Sequence, residues 1–437
     1  MKYIIFVVVS LLFYGCSTKE FKVLDLNDTK VKELSLYPQQ TSSYISNKAV
    51  LKKVFSRDSY LEHYYRIWLK EPKTTQKEAM WAFRVYHPKR KLYGVNLQPL
   101  KKDFYTQCYD NSNFDTYKSI NKKALTIKDT SLRIFPTQEM AFSNPNKAGS
   151  GFPFDLLQNS LIEANKPLFV SHFSKDKRWA YVFSSFASGW VKKSDIVFVD
   201  DSFFQKRLNA EYVTVIKDNY PLYDKNGEYL FSLRIGEWFV IAKEDLEFYT
   251  IEVVSKEDID TPKIKKIKVP KDVVQKAPLV FDKKNIITIL DGLKTSRYGW
   301  GGLFLLRDCS STMRDYFSAF GVWLPRNSAA QAKVGKVIDL EGLDEKAKLE
   351  KIKQEGIPFE TLLYKKGHIV LYLGIYHNKV MLFQNLWGIK TKYKNKTGRV
   401  VIARAIFYPI DIGKDLEYFD KENNLLDRLK TLSIPTQ

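Results

Sequence analysis

Residues 307–331 read RDCSSTMRDYFSAFGVWLPRNSAAQ. Asp308 is a good N-cap residue. Met313, Tyr316, Phe317 and Phe320 follow at spacings of three and four, which predicts a helix with one apolar side, and Gly321 ends it. Cys309 falls in the first helical turn. There the helix dipole lowers a thiol pKa and favours the thiolate, the form that attacks carbonyls. A structural cysteine would more naturally occupy the apolar stripe.

A cysteine nucleophile needs a base, and the chain has five histidines. His63 and His87 lie in a helical N-terminal region, His172 reads as a structural turn residue of a small barrel, and His377 sits in a turn with Asn378. His368 starts the strand HIVLYLG directly after Gly367. In that strand His368, Val370 and Tyr372 point to one face, Ile369 and Leu371 to the other. A histidine at the exposed end of a sheet can face a helix N-terminus across a cleft. The next strand, KVMLFQN, offers Gln384 and Asn385 to orient the imidazole. Spacing alone leaves a Cys309–His368 pair open against a plain core or redox cysteine.

The 437 residues allow two to four domains. The formal net charge is +21, mostly lysine. That excess suits an anionic partner, or simply a lysine-heavy proteome, since the lysines are scattered. The opening MKYIIFVVVSLLFYGCSTKE has a lysine, a short apolar core and Gly15-Cys16. The core is too short to span a bilayer and reads as an export signal. Export makes nucleic acid an unsuitable partner and an envelope polymer a suitable one. Of the three cysteines, counting alone permits a bridge between Cys108 and Cys309, which the setting of Cys309 argues against. Residues after Cys16 read as a polar tether, followed by helices to about residue 125 in which Val50, Val54, Tyr60, Tyr64 and Trp68 share one side. From residue 126 short alternating strands and turns such as DKNGEY predict small barrels. From residue 283, helices followed by antiparallel strands predict an α+β domain. No Cys, His and carboxylate cluster has metal-ligand spacing, so no metal or cofactor is expected. GWGG lacks the continuation of a phosphate loop.

YGWGG (298–302), DCSS (308–311), LPRNSAAQ (324–331), GHIVLYLG (367–374) and FQNLWGI (383–389) occur in the order of the NlpC/p60 family and cover roughly the last third of the chain. GWVKKSDI and the stretch from RIFPT to KDKRWAYV resemble the bacterial SH3-like domains found in front of such cell-wall peptidases. Gly15-Cys16 resembles a lipobox. The resemblance implies a lipoprotein signal at 1–16, a tether and helical region at 17–125, SH3-like barrels at 126–200 and 201–282, and a papain-like α+β catalytic domain at 283–437. It implies Cys309 as nucleophile, His368 as base, Gln384 as third residue where histidine is commoner, and Asp308, Ser310 and Tyr298 as substrate-binding. Asn385 stays a second choice for the third position. The implied activity is cleavage between γ-D-glutamate and the diamino acid of peptidoglycan stem peptides, by a monomer anchored in the periplasm through Cys16, with Ser17 pointing to the outer membrane. A non-catalytic wall-binding lipoprotein, or a Cys-His amidase or acyltransferase, are the rival readings.

Overall fold

The computed structural model describes residues 20–45 and 52–437; Cys16, Ser17 and Val50 lie outside them. Four helices and a seven-stranded sheet frame the site. Helices α1 (Arg57–Tyr64) and α2 (Lys102–Asn111) belong to the N-terminal region, and α3 (Lys283–Leu293) and α4 (Cys309–Ala319) to the last domain. Its sheet runs β1 (Leu24–Asp25), β2 (Lys336–Asp339), β3 (Leu362–Lys365), β4 (His368–Tyr376), β5 (Lys379–Tyr393), β6 (Lys396–Pro409) and β7 (Leu429–Ile434), in the spatial order β1-β6-β5-β4-β3-β7-β2.

Local chemistry sets α4. Asp308 Oδ1 accepts the Ser311 N–H at 2.8 Å and Ser311 Oγ accepts the Asp308 N–H at 2.9 Å, a reciprocal cap. Met313, Tyr316, Phe317 and Phe320 are fully buried. Gly321 leaves the helix at φ +80°, where a Cβ would meet the Pro278 ring at 2.9 Å. The apolar faces of α3 and α4 lie on one side of the sheet. Ile369, Leu371 and Leu373 of β4 share their cluster with Cys309, whereas Val370 and Tyr372 join a second cluster on the other side with Leu382 and Tyr408. The period of two therefore holds from Ile369 to Leu373.

Two barrels precede this domain. The first is a seven-stranded sheet whose strands run from Lys122 to Phe198. His172 lies inside the strand Pro167–Phe173, fully buried, and not in a turn. Its ring nitrogens bond Ser171 Oγ and the Ser112 carbonyl, each at 3.0 Å. Burial pushes its pKa down to about 4. The second barrel combines a five-stranded sheet with a two-stranded hairpin turning at Asp224–Glu228.

Two N-terminal expectations are corrected. Val54 precedes α1 and is 67% exposed, so it is no part of a helical stripe, although Tyr60, Tyr64 and Trp68 are buried. Residues 20–45 are no free tether but a strap on the last domain. Leu24 and Asp25 pair in parallel with Arg399 and Val400 of β6. Val31 is 1% exposed. The Thr41 N–H and hydroxyl donate to Asp291 Oδ1 at 3.0 and 2.9 Å, and Gln39 exchanges bonds with the backbone of Phe407. These long-range contacts satisfy backbone groups that a solvated tether would leave to water.

Candidate active site

Cys309 sits at the start of α4, 8% exposed. The backbone N–H groups of Ile369 and Ser310 point at its sulfur. His368, one residue before Ile369, is half-buried at the hairpin end of β4. Its Nε2 is hydrogen-bonded to Gln384 Oε1. With Nε2–H donated to an acceptor that has no proton to give, Nδ1 is the nitrogen free to take a proton. Gln384 and Asn385 divide as the strand period requires. Asn385 turns to the other face and donates through Nδ2 to the Arg307 and Arg297 carbonyls at 3.1 and 3.3 Å.

The thiol's acidity is the reverse of the expected one. Burial, and after it the Asp308 charge, push the Cys309 pKa up to about 12 against the pull of the Ile369 N–H. Burial, then Lys365, push the His368 pKa down to about 3. Thiol and imidazole are therefore both neutral at rest. The helix-start effect is present but is outweighed by desolvation and by an adjacent carboxylate. Cys108 and Cys309 are both free thiols, so no bridge joins them.

Asp308 is held on all sides. Oδ1 accepts from the Ser311 N–H, Ser310 Oγ and Arg326 Nη1, and Oδ2 from the Gly301 N–H and Arg326 Nη2, at 2.7–3.2 Å. Arg326 also donates from Nε to Ser160 Oγ at 2.6 Å and from Nη1 to Ser310 Oγ at 2.9 Å. Arg326 lies within the LPRNSAAQ motif, yet nothing in the spacing marked it as the partner of Asp308. Burial first, and then the neighbouring Cys309 and Asp308, which repel a phenolate when ionised, hold the Tyr298 hydroxyl well above the ordinary range.

The cleft in front of Cys309 has a volume of about 320 Å³ and is built by three parts of the chain. Tyr298, Trp300, Ser310 and Arg326 come from the last domain. Gln158, Asn159 and Phe186 come from the first barrel, and Trp81 and Tyr86 from the helical region. Two bonds fix the barrel to the site loop: Gln158 Nε2 to the Gly301 carbonyl and Trp300 Nε1 to the Asp155 carbonyl, both 3.1 Å. Gly301 and Gly302 adopt φ +60° and +81°, and a Cβ on Gly302 would lie 2.4 Å from Leu161 Cβ, so the close approach requires glycine there.

Comparison with known proteins gives four consecutive matches. Residues 5–117 match the N-terminal stabilising domain of NLPC_P60 proteins, 141–192 an SH3 domain of SH3b1 type, 200–245 an SH3 domain of SH3b2 type, and 295–404 the NlpC/P60 family. Among solved structures, an NlpC/P60 endopeptidase from Photobacterium damselae subsp. piscicida superposes with a TM-score of 0.81 at 23% identity, covering 92% of this chain and 98% of that one. An NlpC/P60 family protein from Bacillus cereus matches with a TM-score of 0.47 at 14% identity, over 71% of this chain and 99% of that one. No curated protein matches the chain.

Proposed function

The last domain belongs to the NlpC/P60 family and stands behind that family's stabilising domain and two SH3 domains, and on that premise we propose that the chain is a peptidoglycan cysteine endopeptidase cutting between γ-D-glutamate and the diamino acid of a stem peptide. The observation that carries the reading is the arrangement of Cys309 at the start of α4 beside β4, with His368 held through Nε2 by Gln384.

In this reading, substrate binding displaces water from the cleft and brings the γ-carbonyl against the thiol. His368 Nδ1 takes the thiol proton as sulfur attacks, so the ion pair forms only during reaction. The Cys309 N–H, which has no intrahelical acceptor at the first helical position, faces the developing oxyanion. Collapse expels the diamino-acid amine, which receives the proton from His368. Water, deprotonated by the same nitrogen, then cleaves the thioester and restores the thiol. Gln384 keeps the imidazole in its productive tautomer but adds no charge to stabilise imidazolium. Tyr298 and Ser310 border the substrate. A substrate amine reaching Asp308 must displace one of its five donors, so amine recognition there competes with the Arg326 pair. Cys16 carries the lipid that holds the protein to the periplasmic face of the outer membrane.

Purified protein incubated with sacculi should release fragments whose masses place the cut after γ-D-glutamate, and Cys309→Ala should release none. Cleavage at another bond would refute the specificity. Undiminished release by Cys309→Ala would refute the peptidase reading.

A further inference from the structure

The strap after Cys16 has a geometric consequence. Five residue steps separate Cys16 from Phe21, so full extension gives at most about 18 Å between their Cα atoms. Phe21 is not mobile on a tether. Its ring packs 5.9 Å from Tyr393 and 5.4 Å from Tyr418, which are themselves 5.1 Å apart. Tyr393 is 41% exposed and opposes Lys396 across the tip of the β5–β6 hairpin. Lys394 lies over the Tyr393 ring at 5.4 Å. Val23, Leu24 and Leu26, immediately downstream, are 38%, 46% and 78% exposed. Half-exposed aromatics, exposed aliphatics and the lysines Lys22, Lys394 and Lys396 thus meet at the point where the chain enters from Cys16. Glu417 and Glu422 border the same surface, the second paired with Lys392 at 3.1 Å.

We infer that this surface rests on an anionic bilayer, so that the last domain in the chain is the domain nearest the membrane. The inference rests on the reading of Cys16 as lipid-bearing. Amphipathic rings at headgroup level with lysines reaching for anionic lipid are the chemistry of an interfacial contact. Among the described residues no helix is long and apolar enough to cross a membrane. Gln384 lies nine residues along β5 from Tyr393, a rise of up to about 30 Å. The cleft therefore stands at a fixed height above the headgroups, and the stems it reaches are those close to the membrane or already released from the wall.

The test uses full-length lipidated protein, carrying Cys309→Ala to remove a reactive thiol, in phosphatidylethanolamine–phosphatidylglycerol vesicles with brominated acyl chains. A fluorophore is placed at Asn395→Cys, on the hairpin tip, or at Lys366→Cys, beside His368. Quenching several-fold stronger at 395 than at 366, and weakened by adding Lys396→Glu, is the expected result. Equal quenching at both sites, or stronger quenching at 366, overturns the inference. Mass and quenching together separate the two layers of the argument. If intact-mass analysis shows no acyl chains on Cys16, the anchor reading fails and the inference with it. If the acyl chains are present and 395 is not quenched, the surface assignment fails alone.

Discussion

The two SH3-like barrels share a fold and are adjacent in the chain, but they meet the last domain in different ways. The first presents side chains to the cleft: Gln158, Asn159 and Phe186 form its wall. The second lends nothing to the cleft and grips the back of α4. Trp238 Nε1 donates to the Ser318 carbonyl at 2.9 Å, and the backbone of Gly236 lies directly against Asp315. Asp218 and Asp315 both pair with buried Arg307, which precedes the nucleophile by two residues. Side chains of one barrel line the cleft. The backbone and the Asp218–Arg307 pair of the other brace the helix that carries the nucleophile, to which the first adds the Glu163–Arg314 pair. One module thus forms a cleft wall in one copy and mainly a brace in the other, and alternating strands with turn residues look alike in both.

Breaking the support should have the largest effect. Gly236 has φ +85°, and an alanine Cβ there would lie 2.2 Å from the Asp315 carbonyl oxygen. Neither backbone can yield without moving α4, so Gly236→Ala should cost about 3 kcal/mol or more, read as a lowered urea midpoint. An unchanged midpoint would show that the second barrel is no brace.

The first barrel should respond to pH. His172 is neutral when folded, with its pKa near 4 against 6.5 unfolded. Between those values the unfolded chain binds more protons, so stability falls as pH drops from about 6.5 to 4, by roughly 3 kcal/mol in all. His368, with its pKa near 3, adds a slope of the same sign, so His172→Phe should remove about half of the total in urea titrations followed across the window. An undiminished slope in the variant would place the titrating group elsewhere.

Trimming the wall should act on turnover and leave stability nearly alone. Phe186→Ala should lower kcat/KM on a free stem peptide by about tenfold, chiefly through KM, the equivalent of about 1.4 kcal/mol of lost contact. Tyr229→Ala, at an exposed position on the second barrel, should change nothing measurable. Equal losses from both would erase the distinction between the barrels.

These contrasts explain what the sequence could disclose. The α4 helix was legible because its signals are local: an aspartate cap, apolar residues at three and four, a terminal glycine. The β4 alternation and the choice between Gln384 and Asn385 also follow local periods, once the strand's register is known. The wall was not legible, because Gln158, Phe186 and Trp81 reach Cys309 only through domain packing. The strap was misread because its anchors, Thr41 on Asp291 and Gln39 on Phe407, join residues far apart in the chain. The thiol's acidity was misjudged because the helix dipole is visible in sequence, whereas the depth of burial is not. Arg326 stood in plain view in LPRNSAAQ, but only the fold sets it against Asp308.

In the proposed reaction Cys309 forms an acyl-enzyme with the γ-glutamyl carbonyl. Rapid mixing of the protein with a free L-alanyl-γ-D-glutamyl-diamino-acid peptide, acid quenching and intact-mass analysis test it directly. The predicted result is a transient mass increase equal to the L-alanyl-γ-D-glutamyl acyl group, mapped to the peptide containing Cys309 and missing in Cys309→Ala. Peptide cleavage without an adduct, with an adduct on another residue, or undiminished in Cys309→Ala would contradict it.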